Sequence, residues 1–348
     1  NRAEPFGLFQ TIADGMKLIF KEDLMPARAD PFVFKLAPFL SLIPAFLTFA
    51  IVPIAGSFND GLDGVVTILG QQTFMQVADP QIGILLFLAM SSLAVYGIML
   101  AGWASGSKYP LLGSVRATAQ MVSYEAALGL ALASVLLIAG SLSTNAIVNG
   151  QAGFRWNVWM TGLVPFVIFT IAATAELNRP PFDLVEAEQE LVGGFHTEYS
   201  SFRFAMFFLA EFLNTVTMSA IIVTLFFGGP SGPTFGLTNW VGVYILPFFW
   251  FFLKLLVFLS MFVLFRATLP RFRYDQVMDL GWKLLIPASL GWFLLLVAVR
   301  VGSDQGWNLV ATGLAAVAGL LAGAFLLILS IRASAAKRAA VSLPGEGT

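Results

Sequence analysis

Residues 117–140 read ATAQMVSYEAALGLALASVLLIAG, an apolar run that contains a single carboxylate, Glu125. A helix of about 20 apolar residues is long enough to cross roughly 30 Å of hydrocarbon. Lipid offers the backbone no hydrogen-bond partners, so a run that is hydrophobic on all sides at this length predicts a transmembrane helix. The same pattern recurs along the chain, and it decides the fold class.

The composition of the whole chain supports this interpretation. Hydrophobic residues make up 58% and charged residues only 11%, which would leave too much apolar surface exposed if the chain folded in water. The chain has no cysteine, which excludes disulfides and iron–sulfur clusters held by its own thiolates. A single histidine, His196, argues against a histidine-built haem or zinc site. We therefore expect no metal or cofactor bound by this chain alone, and no nucleic-acid partner.

The predicted fold is an all-α, polytopic integral membrane helix bundle with eight spans, in a single transmembrane domain over residues 1–331. Residues 332–348 are expected to form a flexible cytoplasmic tail. The chain begins with Asn1 rather than methionine, and we expect a missing upstream helix that would bring the total to about nine spans. The eight predicted spans are Leu36–Gly56, Ile82–Trp103, Ala117–Gly140, Trp156–Ala175, Phe204–Phe227, Trp240–Phe265, Leu284–Val299 and Leu309–Ile331.

Lysine and arginine are distributed very unevenly between the two ends of these spans. Of the 19 basic residues, 16 fall on one side, Arg155 and Arg300 fall on the other, and Lys254 lies within a span. Loops rich in lysine and arginine stay on the cytoplasmic side of a membrane. The basic loops and the tail are therefore predicted to be cytoplasmic.

The segment before the first span has a different pattern. Between Phe9 and Lys21, apolar residues recur on one helical face and polar residues on another. This predicts an interfacial amphipathic helix over residues 6–21 that lies along the cytoplasmic membrane surface. A helix packed on a soluble partner would show the same pattern, and the two interpretations are compatible.

The loop over residues 176–203 is strongly acidic for so apolar a chain. Pro180 and Pro181 stop the preceding helix, and Asp183 followed by Glu186 resembles a capping box that starts a short helix to about Val192. A solvated acidic loop is the simplest interpretation. Its six carboxylates are Glu176, Asp183, Glu186, Glu188, Glu190 and Glu198.

Two further carboxylates, Glu125 and Glu211, lie inside predicted spans. An ionised side chain in the membrane interior costs at least ~2.5 kcal/mol on insertion scales, so intramembrane acids usually have a function. Both lie toward the cytoplasmic ends of their spans, which makes a common acidic cavity with the loop plausible. Burial and mutual repulsion favour proton uptake by carboxylates, although a neutral, hydrogen-bonded glutamate is the alternative for each. Lys254 is either their counter-ion or a snorkelling side chain.

Several motifs in order along the chain resemble the H subunit of bacterial NADH:quinone oxidoreductase (respiratory complex I), the family that includes mitochondrial NADH dehydrogenase subunit 1. The resemblance covers roughly Asn1 to Val299. It rests on NRAEPFGLFQTIADGMKLIFKED at residues 1–23, YGIMLAGWASGSKYPLLGSVRATAQMVSYEAALGL at 96–130, ELNRPPFDLVEAEQELVGGFHTEYS at 176–200, FFLAEF at 207–212 and RATLPRFRYDQVMDLGWK at 266–283.

The resemblance implies a membrane subunit that frames a quinone chamber and couples quinone reduction to proton translocation. Quinone would be the substrate, while FMN and iron–sulfur clusters would belong to partner subunits. The partners implied are the quinone-site and terminal-cluster subunits of a hydrophilic arm, neighbouring small membrane subunits and lipid, in the bacterial plasma (inner) membrane. The family's proton-coupling acids match Glu125, Glu176, Asp183, Glu186, Glu188, Glu190 and Glu211 here, with no catalytic residue in this chain.

A second set of residues is expected at the quinone chamber or the arm interface. Three arginines in one loop suit contacts with carboxylates, although the topology rule alone also accounts for them and a lipid headgroup could bind there. The set is Arg2, Phe9, Met16, Lys17, Arg266, Arg271, Arg273 and Asp275.

Two rival functions fit parts of the pattern. The homologous membrane subunit of an energy-converting hydrogenase or a related dehydrogenase would differ in its electron acceptor. A secondary transporter would also place acids in the membrane, but the sequence has no repeated halves or paired broken helices.

Overall fold

A computed structural model of the chain describes residues 9–56, 58, 64–68, 70–183, 192–234, 241–308, 311–323, 325 and 329. The described part is mainly helical and contains one small antiparallel sheet. Its helices are α1 (Gln10–Phe20), α2 (Pro31–Phe49), α3 (Gly83–Ala104), α4 (Lys108–Ala139), α5 (Thr144–Asn149), α6 (Asn157–Met160), α7 (Leu163–Glu176), α8 (Ser201–Phe226), α9 (Leu246–Thr268), α10 (Tyr274–Asp279), α11 (Ile286–Asp304) and α12 (Ala311–Gly323).

Within the described residues, six helical stretches are long and apolar enough to cross a membrane, which confirms the expected class of fold. Wide π-helical turns at 241–245 and 280–285 make two of them longer than α9 and α11 alone. Two shorter apolar helices, α7 and α12, match the other two predicted spans in part. The six are Pro31–Phe49, Gly83–Ala104, Lys108–Ala139, Ser201–Phe226, Val241–Thr268 and Tyr274–Asp304.

The first span starts earlier than its hydrophobic run suggests. Asp30 caps α2, and its carboxylate accepts hydrogen bonds from the backbone N–H groups of Phe32 and Val33. Pro31 is the first helical residue, a position where the missing N–H has no cost. The helix ends at Phe49 rather than Gly56.

The fourth predicted span, Trp156–Ala175, is interrupted. A short helix, α6, ends at Met160, and α7 begins at Leu163 after Gly162, whose φ is +74°. Only glycine adopts this conformation without strain, so the chain can turn sharply there. Pro165 then lies in the first turn of α7, where its missing N–H leaves no intrahelical hydrogen bond unmade.

The hydrophobic pattern did not predict the small sheet. Strands β1 (Val65–Ile68) and β2 (Gln71–Phe74) form an antiparallel hairpin, with Val65 paired to Phe74 and Ile68 to Gln71. All four side chains of β2 are exposed. Tyr244 donates a hydrogen bond to the carbonyl of Thr67 and so joins the hairpin to the segment that precedes α9.

The packed centre of the bundle places α4 against α3 and α7, while α2 contacts both α3 and α8. The core cluster includes the fully buried Tyr124, Leu128, Phe169 and Phe226. Close packing depends on small residues, since any side chain at Gly97 would clash with Ser41 on α2. Glu125, Glu176 and Glu211 lie on α4, α7 and α8, which all belong to this packed centre.

The chain divides into two compact units, residues 1–287 and 288–348. All of the acidic residues discussed below lie in the first unit. Within the second unit, Gly302 of α11 and Thr312 of α12 lie close together, and Gly291 lies near Leu320. The single transmembrane domain expected from the sequence stays a prediction.

Candidate functional site: a carboxylate-lined cavity

A cavity near the predicted acids, which we call the central cavity, is lined by residues of α2, α3, α4, α7 and α8. It contains about 710 Å³ of empty space and is partly open to solvent. Its walls are mainly apolar, with carboxylates at two points. The lining residues are Ser41, Ala94, Ile98, Met121, Glu176, Leu177, Asn178, Phe195, His196, Phe204, Phe207, Phe208, Ala210, Glu211 and Asn214.

Glu176 is the carboxylate most enclosed by this arrangement. It is the last residue of α7 and is only 7% exposed. One of its oxygens, Oε2, is buried and has no hydrogen-bond partner within the described part of the chain. A buried carboxylate oxygen without a partner is costly as a charge, so Glu176 is well placed to exchange a proton or to bind water.

A second, smaller cavity continues from Glu176 into the bundle. It contains about 380 Å³ of empty space and shares Ala94, Met121, Glu176, Leu177 and Asn214 with the central cavity. Three hydroxyl side chains, Thr48, Ser91 and Thr217, lie along its wall. Glu176 therefore stands where the two cavities meet.

Glu125 lies on α4, half-buried, and accepts a hydrogen bond from the hydroxyl of Ser92 on α3. It is close enough to Glu176 for their charges to interact. The predicted grouping of Glu125 with the loop acids therefore holds for Glu176. Two carboxylates in one low-dielectric region are coupled, because a charge on one disfavours a charge on the other.

Glu211 approaches the cavity from α8 and is paired with a cation. The distance between Arg179 Nε and Glu211 Oε1 is 3.1 Å, and both side chains are largely shielded from solvent. The Arg179 guanidinium also lies over the Phe212 ring, 4.7 Å from its centroid. Arg179, from the acidic loop, thus offsets the charge of Glu211 at the cavity wall.

Gln120 holds the start of the acidic loop in place, although it was not among the residues predicted from the sequence. Its fully buried amide nitrogen Nε2 donates to the Ala175 carbonyl at 2.8 Å, to the Phe182 carbonyl at 3.0 Å and to Asn178 Oδ1 at 3.2 Å. These acceptors lie on both sides of Glu176. A polar residue on the core face of an apolar helix was the signal that could have found it.

Asp183 is paired with an arginine from the loop that follows α9. Arg271 Nη2 lies 3.3 Å from Asp183 Oδ1. The N–H of Phe272 donates to the Pro181 carbonyl at 3.1 Å, and the Phe182 and Phe272 rings stack at 5.6 Å. The arginine-rich loop, which was predicted to contact partner subunits, therefore contacts the acidic loop of its own chain. Arg266, Arg273 and Asp275 remain exposed.

The predicted acids Glu186, Glu188 and Glu190 lie outside the described residues, as do residues 184–191 of the helix expected to reach about Val192. Arg2 lies outside them too. Their placement stays a prediction. The grouping that the structure describes therefore consists of Glu125, Glu176 and Glu211.

His196 lines the central cavity from a single 3₁₀ turn, Gly194–His196. Its ring contacts Phe195 and Phe204 edge-on, at 4.9 and 5.4 Å. Burial lowers the pKa of His196 to about 4, against a smaller opposing effect of Asp183. His196 is therefore a neutral group at pH 7 and adds no positive charge to the acidic cavity.

The amphipathic pattern forms α1 over Gln10–Phe20, and Phe9, just before it, and Met16 and Lys17 within it are all exposed. The place of this helix at the membrane interface stays a prediction. Phe9 is 56% and Met16 54% exposed, so the apolar face is open. Residues 18–23, at the end of α1 and just after it, contact the C-terminal end of the acidic loop. Ser201 donates to the Leu18 carbonyl at 3.1 Å, and Arg203 Nη2 lies 3.0 Å from Asp23 Oδ2.

Lys254 does not pair with the acids of the cavity. Its ammonium donates to the backbone carbonyls of Phe227, Gly229 and Ser231 at 2.7, 2.9 and 2.6 Å, and lies 5.2 Å from the Trp156 ring centroid. Three donors of an ammonium meet three carbonyls, which satisfies the charge within the fold. Lys254 is therefore not a counter-ion of the cavity acids. It stabilises the turn that follows α8 through these hydrogen bonds.

Comparison with known proteins identifies the family to which the chain is similar. A family model described as NADH dehydrogenase matches residues 1–297. A Frankia alni protein named as the H subunit of NADH-quinone oxidoreductase is 52% identical over 307 residues, which cover 86% of this chain. The protein of the same name in Frankia casuarinae is also 52% identical over 307 residues, and the one in Streptomyces avermitilis is 47% identical over 332 residues, or 95% of this chain. The chain spans 65% of the length of each Frankia relative and 71% of the Streptomyces relative.

Proposed function

This chain belongs to the NADH dehydrogenase family, and on that premise we propose that it is a membrane subunit of a proton-translocating NADH:quinone oxidoreductase. In this proposal it frames the chamber through which quinone reaches the electron-transfer centres. The observation that carries the proposal is the central cavity, where Glu176 and Glu211 line otherwise apolar walls. An apolar chamber suits a quinone, and the acids supply groups that can exchange protons.

Electron transfer would take place on partner subunits. The chain has no cysteine to hold an iron–sulfur cluster, which agrees with clusters and FMN carried by a hydrophilic arm. The basic loops and the tail would lie on the cytoplasmic side of the bacterial inner membrane, where that arm docks. Arg266, Arg273 and Asp275 are exposed and available for such contacts, and neighbouring small membrane subunits and lipid would cover the bundle.

Coupling would work through electrostatics in the cavity. Reduction of quinone creates negative charge and a demand for protons beside the carboxylates. Glu176 lines both cavities, and its charge interacts with that of Glu125, so a proton gained at one site changes the occupancy of the other. Asp183, Glu186, Glu188 and Glu190 would extend this acidic funnel toward the cytoplasm.

Purification of the assembled complex tests the proposal most directly. With an affinity tag on this chain and mild detergent, we expect an NADH-oxidising flavin module to co-purify, with NADH:ferricyanide activity in the eluate. A nickel–iron hydrogenase module instead would identify the homologous membrane subunit of an energy-converting hydrogenase. Recovery of the chain with neither module would contradict the proposed assembly.

Access of quinone through α1 gives a second test. Placing a charge on the exposed apolar face, with Phe9→Asp or Met16→Asp, should weaken contact of that face with the membrane. We expect turnover of a long-tailed quinone to fall several-fold, while NADH:ferricyanide reduction is unchanged. The control is Lys21→Gln, at an exposed lysine outside the predicted site, which leaves the apolar face intact. Equal loss of both activities would show failed assembly rather than a role in access.

A further inference from the structure

A groove between α7 and α9 shares no lining residue with the central cavity or with the smaller cavity beside it. It contains about 870 Å³ of open space. On α7 it extends from Phe166 to Thr174, and on α9 from Met261 to Leu269, while Phe182 and Phe272 line one end. The hydroxyl of Thr174 donates to the carbonyl of Thr170 in its own helix, so it offers a ligand no free donor.

The length of the groove matches one leaflet of a bilayer. Phe166 to Thr174 and Met261 to Leu269 each span nine residues, and the eight helical rises between their ends amount to about 12 Å. One leaflet contributes about half of the ~30 Å hydrocarbon core. A transmembrane helix from a neighbouring subunit would need a contact surface across both leaflets, so the groove fits a single lipid acyl chain better.

Basic residues neighbour two of the groove residues in the chain. Arg266 follows the groove residue Phe265 in the chain, and Arg271 and Arg273 flank Phe272. Arg271 is bound to Asp183, but no described carboxylate forms an ion pair with Arg266 or Arg273, and both side chains are exposed. The planar guanidinium suits the oxygens of a phosphate group.

We propose that this groove binds one acyl chain of an anionic phospholipid, whose phosphate is held by Arg266 and Arg273. The acyl chain lies against α7 and α9, and the headgroup lies beside these arginines. The site is separate from the quinone chamber and does not depend on the proposed enzymatic function. A lipid bound here would cover the groove side of α7, the helix that ends at Glu176.

The test uses the tagged chain, purified with the proteins that stay bound to it and placed in nanodiscs. The probes are phosphatidylglycerol and phosphatidylcholine with the same photoreactive acyl chain. After irradiation, mass spectrometry of peptides should locate phosphatidylglycerol on residues 166–174 and 261–272, at least several-fold above phosphatidylcholine. Arg266→Gln with Arg273→Gln should remove that preference.

A matched pair of variants tests the groove itself. Val167 lines the groove, whereas Val263 on α9 is exposed outside it. Val167→Trp should reduce labelling several-fold, and Val263→Trp should leave it unchanged. Equal labelling by both lipids, insensitivity to Val167→Trp, or cross-links from these residues to a partner protein in place of lipid would each overturn the proposal.

Discussion

Glu176→Gln is expected to abolish most quinone-dependent turnover of the assembled enzyme. Glutamine keeps the size of the buried side chain but cannot gain or lose a proton between the two cavities. A lost proton-transfer group typically costs ~100-fold or more, and neighbouring carboxylates can compensate in part, so we expect a loss of about tenfold or more. The measurements are NADH:quinone activity and proton pumping in membranes with equal amounts of complex on a native gel.

Two controls separate this effect from misfolding. NADH:ferricyanide reduction should be unchanged in Glu176→Gln, because that reaction bypasses quinone. Glu198→Gln removes a carboxylate that does not line either cavity and should retain near-normal turnover. Normal quinone activity and pumping in Glu176→Gln would contradict the coupling role. The same assay on Glu186→Gln and Glu190→Gln asks whether the acids of the loop share it.

Lys254→Met should strongly destabilise the protein. The change leaves the carbonyls of Phe227, Gly229 and Ser231 without their ammonium donor. Each unsatisfied buried carbonyl costs ~1–3 kcal/mol, and because Lys254 is only partly buried the low end applies, about 3 kcal/mol for the three. We expect the melting temperature of the purified protein to fall by about 5 °C or more.

A second substitution tests whether the hydrogen-bond geometry of the Lys254 ammonium matters, or only its positive charge. Lys254→Arg keeps the charge, but a planar guanidinium cannot direct three donors to converging carbonyls as an ammonium does. It should therefore restore stability only in part. Lys283→Met, at an exposed lysine paired with Asp279, is the control and should change the melting temperature little. Wild-type stability in Lys254→Met would show that water replaces the lysine.

The sequence determined the class of fold and most of the helices. A run such as 83–104 is apolar on all sides, and in lipid only a helix satisfies its backbone groups, so local sequence is sufficient. The amphipathic α1 follows from its spacing in the same way. The local pattern did not predict the break at Gly162 or the hairpin over residues 65–74. The break depends on the backbone conformation of Gly162, and the hairpin is held by contacts such as that of Tyr244 with Thr67.

Within the candidate site, the sequence singled out Glu125 and Glu211 because a carboxylate in an apolar run is costly wherever it points. It treated Glu176 and Asp183 as members of one acidic loop. Only the tertiary structure separates them: Glu176 is enclosed between two cavities, whereas Asp183 binds Arg271, 88 positions away in the chain. Burial and ion pairing depend on which helices pack together. The hydrogen-bond partners of Gln120 and Lys254 lie on other segments, so the roles of these two residues could be seen only in the packed structure.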